Sequence, residues 1–265
     1  MEKQLFCDIE KIIREAANIM HEAEEKRAMQ VEKKSGTANF VTEYDVRVQR
    51  FLEERFSELL PECAFLAEEE GEGENPLTDG YTFIIDPIDG TTNFMLARRA
   101  SCISVGLLKD KAQIYGAVYD PYSDRYYSAI SGEGAFCNGK PIHVSKRAPA
   151  VAIASIGTAP YNRDTMAVPV SKIFYELLTN FADVRRIGSA ALEICAVACG
   201  ELDVYCESVL SPWDYAGATL ILKEAGGIAT DFNGTALQFE KQSSVIASTA
   251  ECFDTVRKIV AGKIN

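Results

Sequence analysis

Within residues 81–94 a strand, a sharp turn and a helix start are written one after another, with two aspartates where they meet. Tyr81-Thr82-Phe83-Ile84-Ile85 is a short apolar run of the kind that fills a covered sheet. Asp86 follows, and Pro87 holds it extended, because the pyrrolidine ring crowds the helical region of the preceding residue. Asp89-Gly90 then makes a turn, and Thr91 and Thr92 are natural caps for a helix beyond it. Two carboxylates three residues apart are thus delivered to a strand end, beside backbone N–H groups. Carboxylates suit Mg²⁺, and the N–H groups of a helix start suit phosphate oxygens. Asp-Pro and Asp-Gly alone would be ordinary turn residues; the unbroken string Ile85–Phe94 is what constrains the chain.

The rest of the sequence has to cover that strand. Leu5, Ile9, Ile12, Ile13, Ala16, Ala17 and Met20 recur at helical spacing within residues 4–30. A second helix is expected from Asp45 to Leu60, with Phe51, Leu52, Phe56 and Leu59 on one face and Pro61 as its stop. Residues 101–144 read as antiparallel strands with turns at Asp120-Pro121 and Asn138-Gly139. Beyond 150, strands at Val151–Ile156, Val184–Ile187, Val204–Cys206 and Val245–Ser248 alternate with helices at 165–181, 190–199, 214–225 and 250–262. The pattern predicts an α+β layered fold in one unit, residues 1–265, with an N-terminal α+β half (1–148) and a C-terminal α/β half (149–265).

Charge narrows the partners. A net charge of -12 argues against nucleic acid or an anionic membrane, both of which reward a basic surface. It leaves room for a small anionic substrate, since acids that recruit divalent cations turn a negative site into a phosphate-binding one. With two histidines and no Cys-x-x-Cys pair, a zinc or histidine-based site is not expected. The eight cysteines lie mostly in apolar segments, as Cys195 and Cys199 do, and read as small hydrophobes in a reducing compartment. Without an apolar leader or a run of about 18 apolar residues, the expected location is cytoplasmic.

The string Ile85-Asp86-Pro87-Ile88-Asp89-Gly90-Thr91-Thr92-Asn93-Phe94 resembles the signature of the inositol monophosphatase family, within the lithium-sensitive, magnesium-dependent phosphatase superfamily. The resemblance runs along nearly the whole chain. Glu68 and Glu69 fall where the family has paired glutamates, and Trp213-Asp214-Tyr215-Ala216-Gly217-Ala218 with Glu224-Ala225-Gly226-Gly227 resembles its second signature. Asn39-Phe40-Val41-Thr42-Glu43-Tyr44-Asp45 resembles its upstream element, and Gly188-Ser189-Ala190-Ala191 and Glu207 its substrate-contact segments. There are departures: Met95-Leu96-Ala97-Arg98-Arg99 where the family usually has a His and a Pro, Ala67 in place of Gly, and Asn39 where Asp is common. None removes a metal ligand; they bear on the substrate.

The resemblance implies a five-layered αβαβα sandwich, a homodimer, and hydrolysis of myo-inositol 1-phosphate or a related polyol or sugar phosphate by metal-activated water. It implies two or three Mg²⁺ ions. Glu68, Asp86 and the Ile88 carbonyl would hold one, and Asp86, Asp89 and Asp214 another. Thr91 and Asp45, with Glu68 assisting, would orient the water. Asp89, Gly90 and Thr91 would meet the phosphate, and Gly188, Ser189, Ala190 and Glu207 the alcohol. Glu69 and Lys34 complete the candidates, Lys34 only through its distance from Asp45. Rival activities in the superfamily are fructose-1,6-bisphosphatase and histidinol phosphatase. A nucleotide 3′-phosphatase fits less well, since those relatives carry Lys-Glu-Phe where this chain has Thr92-Asn93-Phe94. From another class, the rival is a non-catalytic regulatory homologue, against which the retained carboxylates argue.

Overall fold

Two amphipathic helices open the chain and supply the first layer of the computed structural model, which describes residues 2–26, 31–33, 40–69, 77–96 and 99–263. Helix α1 (Glu2–Lys26) buries Ile9, Ile13, Ala16 and Met20 on one face. A small antiparallel hairpin, β1 (Val31–Lys33) and β2 (Phe40–Thr42), precedes α2 (Glu43–Leu59), which buries Val48, Leu52 and Phe56. Helix α2 starts on a capping box that the sequence reading did not use: the Thr42 side chain accepts from the amide of Asp45, and the Asp45 carboxylate accepts the Thr42 amide at 2.8 Å.

The second layer is a seven-stranded sheet. Strands β3 (Ala64–Ala67) and β4 (Tyr81–Asp89) come first, with the short helix α3 (Thr91–Met95) after them. Strands β5 (Cys102–Lys109), β6 (Ala112–Asp120), β7 (Arg125–Ile130), β8 (Gly134–Cys137) and β9 (Lys140–Pro141) follow, each beside its predecessor. Only β3 and β4 are parallel; the remaining pairs are antiparallel, with turns at Pro121 and at Asn138-Gly139 as expected. Strand β4 runs on to Asp89, past the expected stop at Ile85. Asp86 pairs with Ser104 and Asp89 with Cys102, and the register shifts between them. Such an irregularity is where a strand tolerates Pro87, which lacks an N–H.

The second sheet has a different wiring. The chain passes through β10 (Ile153–Ile156), α4 (Arg163–Asn180), β11 (Asp183–Arg185), α5 (Ala190–Ala198), β12 (Val204–Leu210), α6 (Pro212–Glu224), β13 (Ile228–Thr230), β14 (Ser243–Ser248) and α7 (Ala250–Val260). The strands lie in the order β11-β10-β12-β14-β13, with β10 parallel to both neighbours and β14 antiparallel to both of its own. Residues 149–151 form a 3₁₀ turn rather than the start of a strand, because Pro149 begins a helical turn and Val151 faces solvent.

Three cores separate five layers. Phe83, Ile85, Val105 and Leu107 meet α1 and α2, while Ile84, Val118 and Tyr127 on the opposite face meet α5 and α6. Those two helices also cover Tyr205, Val245 and Ala247 of the second sheet, whose far face, with Ala154, Cys206 and Ile246, packs on α4 and α7. The result is the expected αβαβα order. Helix α6 lies almost backbone to backbone on the first sheet: a Cβ on Gly217 would stand 2.8 Å from the Val105 carbonyl and 2.9 Å from that of Ala117. That approach fixes Asp214, one turn earlier, against the end of β4. All eight cysteines are free thiols, and no helix among the described residues is long and apolar enough to cross a membrane.

Candidate active site

The site lies where the end of β4 meets the first turns of α2, α3, α5 and α6. Thr91 opens α3, but its hydroxyl does not cap that helix as expected; Gly90 is the N-cap, at φ 91°. A Cβ there would be strained by the left-handed backbone and would stand 3.0 Å from the Ala100 carbonyl. The Thr91 hydroxyl is instead shared between the Asp45 carboxylate at 3.3 Å and the Ile88 carbonyl at 3.2 Å. Asp45 is 0% exposed, and burial pushes its carboxyl up to about 6, against the pull of the Thr42 donors and with the charge of Glu69 adding to the rise. Thr42 is therefore a site residue that the sequence reading passed over. The Thr-x-x-Asp spacing of a capping box was its signal.

Five carboxylates share one field. Asp86 is buried, and burial together with the charges of Glu68, Asp89, Asp214 and Asp45 holds it well above the usual range. Burial raises Asp214 in the same way, with Asp89 and Glu68 beside it. Glu68 and Glu69 are half-buried beyond β3, where the Glu68 amide bonds the Ile85 carbonyl at 3.3 Å and the Glu69 amide bonds the Gln49 side chain at 2.9 Å. Asp86 Oδ1 accepts the Ile88 amide at 3.0 Å, and Asp214 Oδ2 accepts the Ser211 amide at 2.7 Å as part of the α6 capping box. Asp214 thus has both of its alternative roles, helix cap and member of the acidic cluster.

Asp89 is held differently. Its carboxylate takes the Ser189 hydroxyl at 2.6 Å, the Ala191 amide at 2.6 Å and the Ala190 amide at 3.2 Å. Burial raises its carboxyl, and these donors from the N-terminal turn of α5 partly offset the rise. Ser189 and Ala190, expected on the alcohol side, face Asp89; the Ala191 amide was not foreseen, since a backbone donor leaves no mark in the side-chain sequence. Glu207 lies within β12 rather than at its end. One oxygen accepts the Ala159 amide at 2.8 Å and the other the Tyr205 hydroxyl at 2.5 Å. It thereby ties β12 to the turn that carries Tyr161, which is 57% exposed. Lys34 lies outside the described residues.

These carboxylates do not converge on a single metal-sized point among the described residues; Asp86, Asp89 and Asp214 each lean toward their own hydrogen-bond donors. The donor set nevertheless fits a hard divalent cation. It is all oxygen, it is mutually repulsive, and Asp86 Oδ2 and Asp214 Oδ1 take no hydrogen bond from a described residue. A charge cluster of this kind is relieved by cations or protons.

The chain matches the model of the inositol monophosphatase family over residues 1–262. It is 38% identical to inositol monophosphatase 3 of Solanum lycopersicum over 218 residues, which cover 81% of each chain. Among solved structures, the IMPase of Thermotoga maritima superposes with a TM-score of 0.87 at 30% identity, covering 99% of this chain and 98% of that one. The SaIMPase-II structure with bound inositol monophosphate superposes at 0.82 with 28% identity, covering 98% and 93%. The chain belongs to the inositol monophosphatase family, whose members are phosphoric monoester hydrolases and depend on metal ions.

Proposed function

We propose that this member of the family hydrolyses myo-inositol 1-phosphate or a related polyol or sugar phosphate with Mg²⁺. The observation that supports it most is the set of carboxylates around Asp86, raised by burial and, at Asp86 and Asp214, by their neighbours' charge, and bordered by the Thr91–Asp45 pair. Glu68, Asp86, Asp89, Asp214 and the Ile88 carbonyl would hold the ions, which supply positive charge for the phosphoryl oxygens and acidify water. The Thr91 hydroxyl, already donating toward Asp45, can accept a hydrogen bond from an attacking water and pass its own proton toward that carboxylate. With Asp45 ionised, the pair orients a lone pair of the water at phosphorus. The amides of Gly90 and Thr91 would receive phosphate oxygens. Gly188 and Glu207 border the alcohol.

A substrate of this class is supported by the relative that binds inositol monophosphate. Lithium sensitivity and a homodimer belong to the same reading and rest on family membership; a cytoplasmic location is proposed with them on the free, mostly apolar-set cysteines. Phosphate release, measured with Mg²⁺ across polyol, sugar and nucleotide monophosphates and fructose 1,6-bisphosphate, tests it. Preference for an inositol phosphate is the expected result. Turnover confined to the bisphosphate would replace the substrate, and no release from any ester would remove the catalytic reading.

A further inference from the structure

Between β11 and α5 the backbone is gripped from both halves of the chain. From the C-terminal half, Glu193 of α5 is 1% exposed, and its Oε1 accepts the amides of Ile187 at 2.5 Å and Gly188 at 3.3 Å. From the N-terminal half, the Asn93 side-chain amide of α3 donates to the carbonyls of Ile187 at 3.0 Å and Gly188 at 3.4 Å, and to that of Ala100 at 2.8 Å. Gly188 sits at φ 93°, and a Cβ there would come within 3.2 Å of Asn93 Nδ2.

The amides on either side of Ser189 serve two carboxylate acceptors. Ile187 and Gly188 serve Glu193; Ala190 and Ala191 serve Asp89 from the other sheet; Leu192 bonds the Ser189 hydroxyl oxygen at 3.3 Å. Glu193 is a costly acceptor. Burial raises its carboxyl, against the pull of the Ser155 hydroxyl, the Ile187 and Gly188 amides and the charge of Arg186; the one proton of that hydroxyl is given to the Arg185 carbonyl at 2.8 Å, which leaves the second oxygen of Glu193 without a well-formed bond from a described residue. Burying a carboxylate is unfavourable unless its oxygens are bonded, and the well-formed bonds of this one are to the two amides that it holds.

We propose that Glu193 is a positioning residue for Asp89. By fixing the Ile187 and Gly188 peptides it sets the aim of the Ser189 hydroxyl and of the Ala190 and Ala191 amides, and so the orientation in which Asp89 is presented to a divalent cation. The cation part rests on the phosphatase reading; the hydrogen-bond part does not.

Backbone amide exchange in metal-free, substrate-free protein tests it directly. In Glu193→Ala, exchange should accelerate roughly 10- to 100-fold at Ile187 and Gly188 and also at Ala190 and Ala191, as lost hydrogen bonds allow, with β4–β7 unchanged. Glu193→Gln, which keeps an oxygen acceptor, should restore most of the protection. Mg²⁺ binding to Glu193→Ala, followed by calorimetry, should weaken about tenfold for one ion, the loss of roughly one hydrogen bond's orientation. Acceleration confined to Ile187 and Gly188, uniform acceleration through both sheets, or Glu193→Gln behaving like Glu193→Ala would each overturn the proposal. If Glu193→Ala does not fold, Glu193→Gln alone decides: it should keep Ile187, Gly188, Ala190 and Ala191 close to wild-type exchange, and acceleration at Ile187 and Gly188 without any at Ala190 and Ala191 would overturn the proposal. Exchange needs no turnover, so an inactive wild-type protein would sink the phosphatase reading without touching this one.

Discussion

The two halves contribute to the site in opposite ways. In the seven-stranded half, every strand after β3 lies beside its predecessor, and the strand ends and adjoining helices carry Asp45, Glu68, Asp86, Asp89 and Thr91. In the five-stranded half, crossovers bring neutral donors, the Ser189 hydroxyl and the Ala190 and Ala191 amides, onto Asp89. Of its two acids at the site, Asp214 caps α6 and Glu207 is engaged on both oxygens. One half concentrates negative charge and the other orients it. Neither arrangement makes a hydrolytic site alone, so substitutions should sort by half.

The largest expected effect falls where the second half lends charge to the first. Asp214→Asn should lower turnover by several powers of ten and weaken Mg²⁺ binding. Thr91→Ala should cost about 10²–10⁴ in turnover, the range for a positioned proton transfer, with Mg²⁺ affinity nearly intact. Calorimetric titration beside steady-state kinetics separates the two. If Thr91→Ala lost as much metal affinity as Asp214→Asn, the division between holding charge and moving a proton would fail.

Glu207 probes the orienting half. Glu207→Ala should reduce kcat/KM for polyol phosphates roughly 10- to 100-fold, as loss of hydrogen bonds to a charged group implies, while an aryl phosphate without hydroxyls is hydrolysed almost as well as before. Tyr205→Phe removes one donor to that carboxylate and should cost roughly tenfold or less on the same polyol. Equal losses on both substrates would assign Glu207 to the fold, through its grip on Ala159, and not to recognition.

A smaller effect should appear in stability. The native chain holds the Asp45 proton up to about pH 6, whereas its usual value is 3.8, so the native state binds more protons between the two. The contribution is fully present below about pH 4 and is lost as pH rises through 6, about 3 kcal/mol for a shift of this size. Asp86, Asp89 and Asp214 are raised too and act with the same sign. In chelator, the melting temperature should therefore fall by several degrees between pH 5 and 7.5, and Asp45→Asn should flatten part of the slope. A melting temperature that climbs over that interval would contradict the charge concentration assigned to the first half.

What the sequence disclosed follows the same division. Asp86 and Asp89 are legible because strand, turn and helix start are contiguous in Ile85–Phe94, Asp45, Glu68 and Asp214 only through the family resemblance, and hydrophobic periodicity gives α1, α2, α6 and α7 to within a few residues. The paths by which the second half reaches the first are not. The Ala191 amide is a main-chain donor, Glu193 reads as one charge in an apolar helix, and the engagement of Glu207 depends on Ala159, far away in sequence. Thr91 was misread as a cap because Gly90 can take the left-handed N-cap position itself, which leaves the hydroxyl for Asp45.

The central claim is that the acidic cluster works only when cations balance it. Phosphate release from myo-inositol 1-phosphate, measured on one preparation before chelation, in excess chelator and after Mg²⁺ is returned, tests this most directly. The account predicts activity, none, and full recovery. Undiminished release in excess chelator would contradict it.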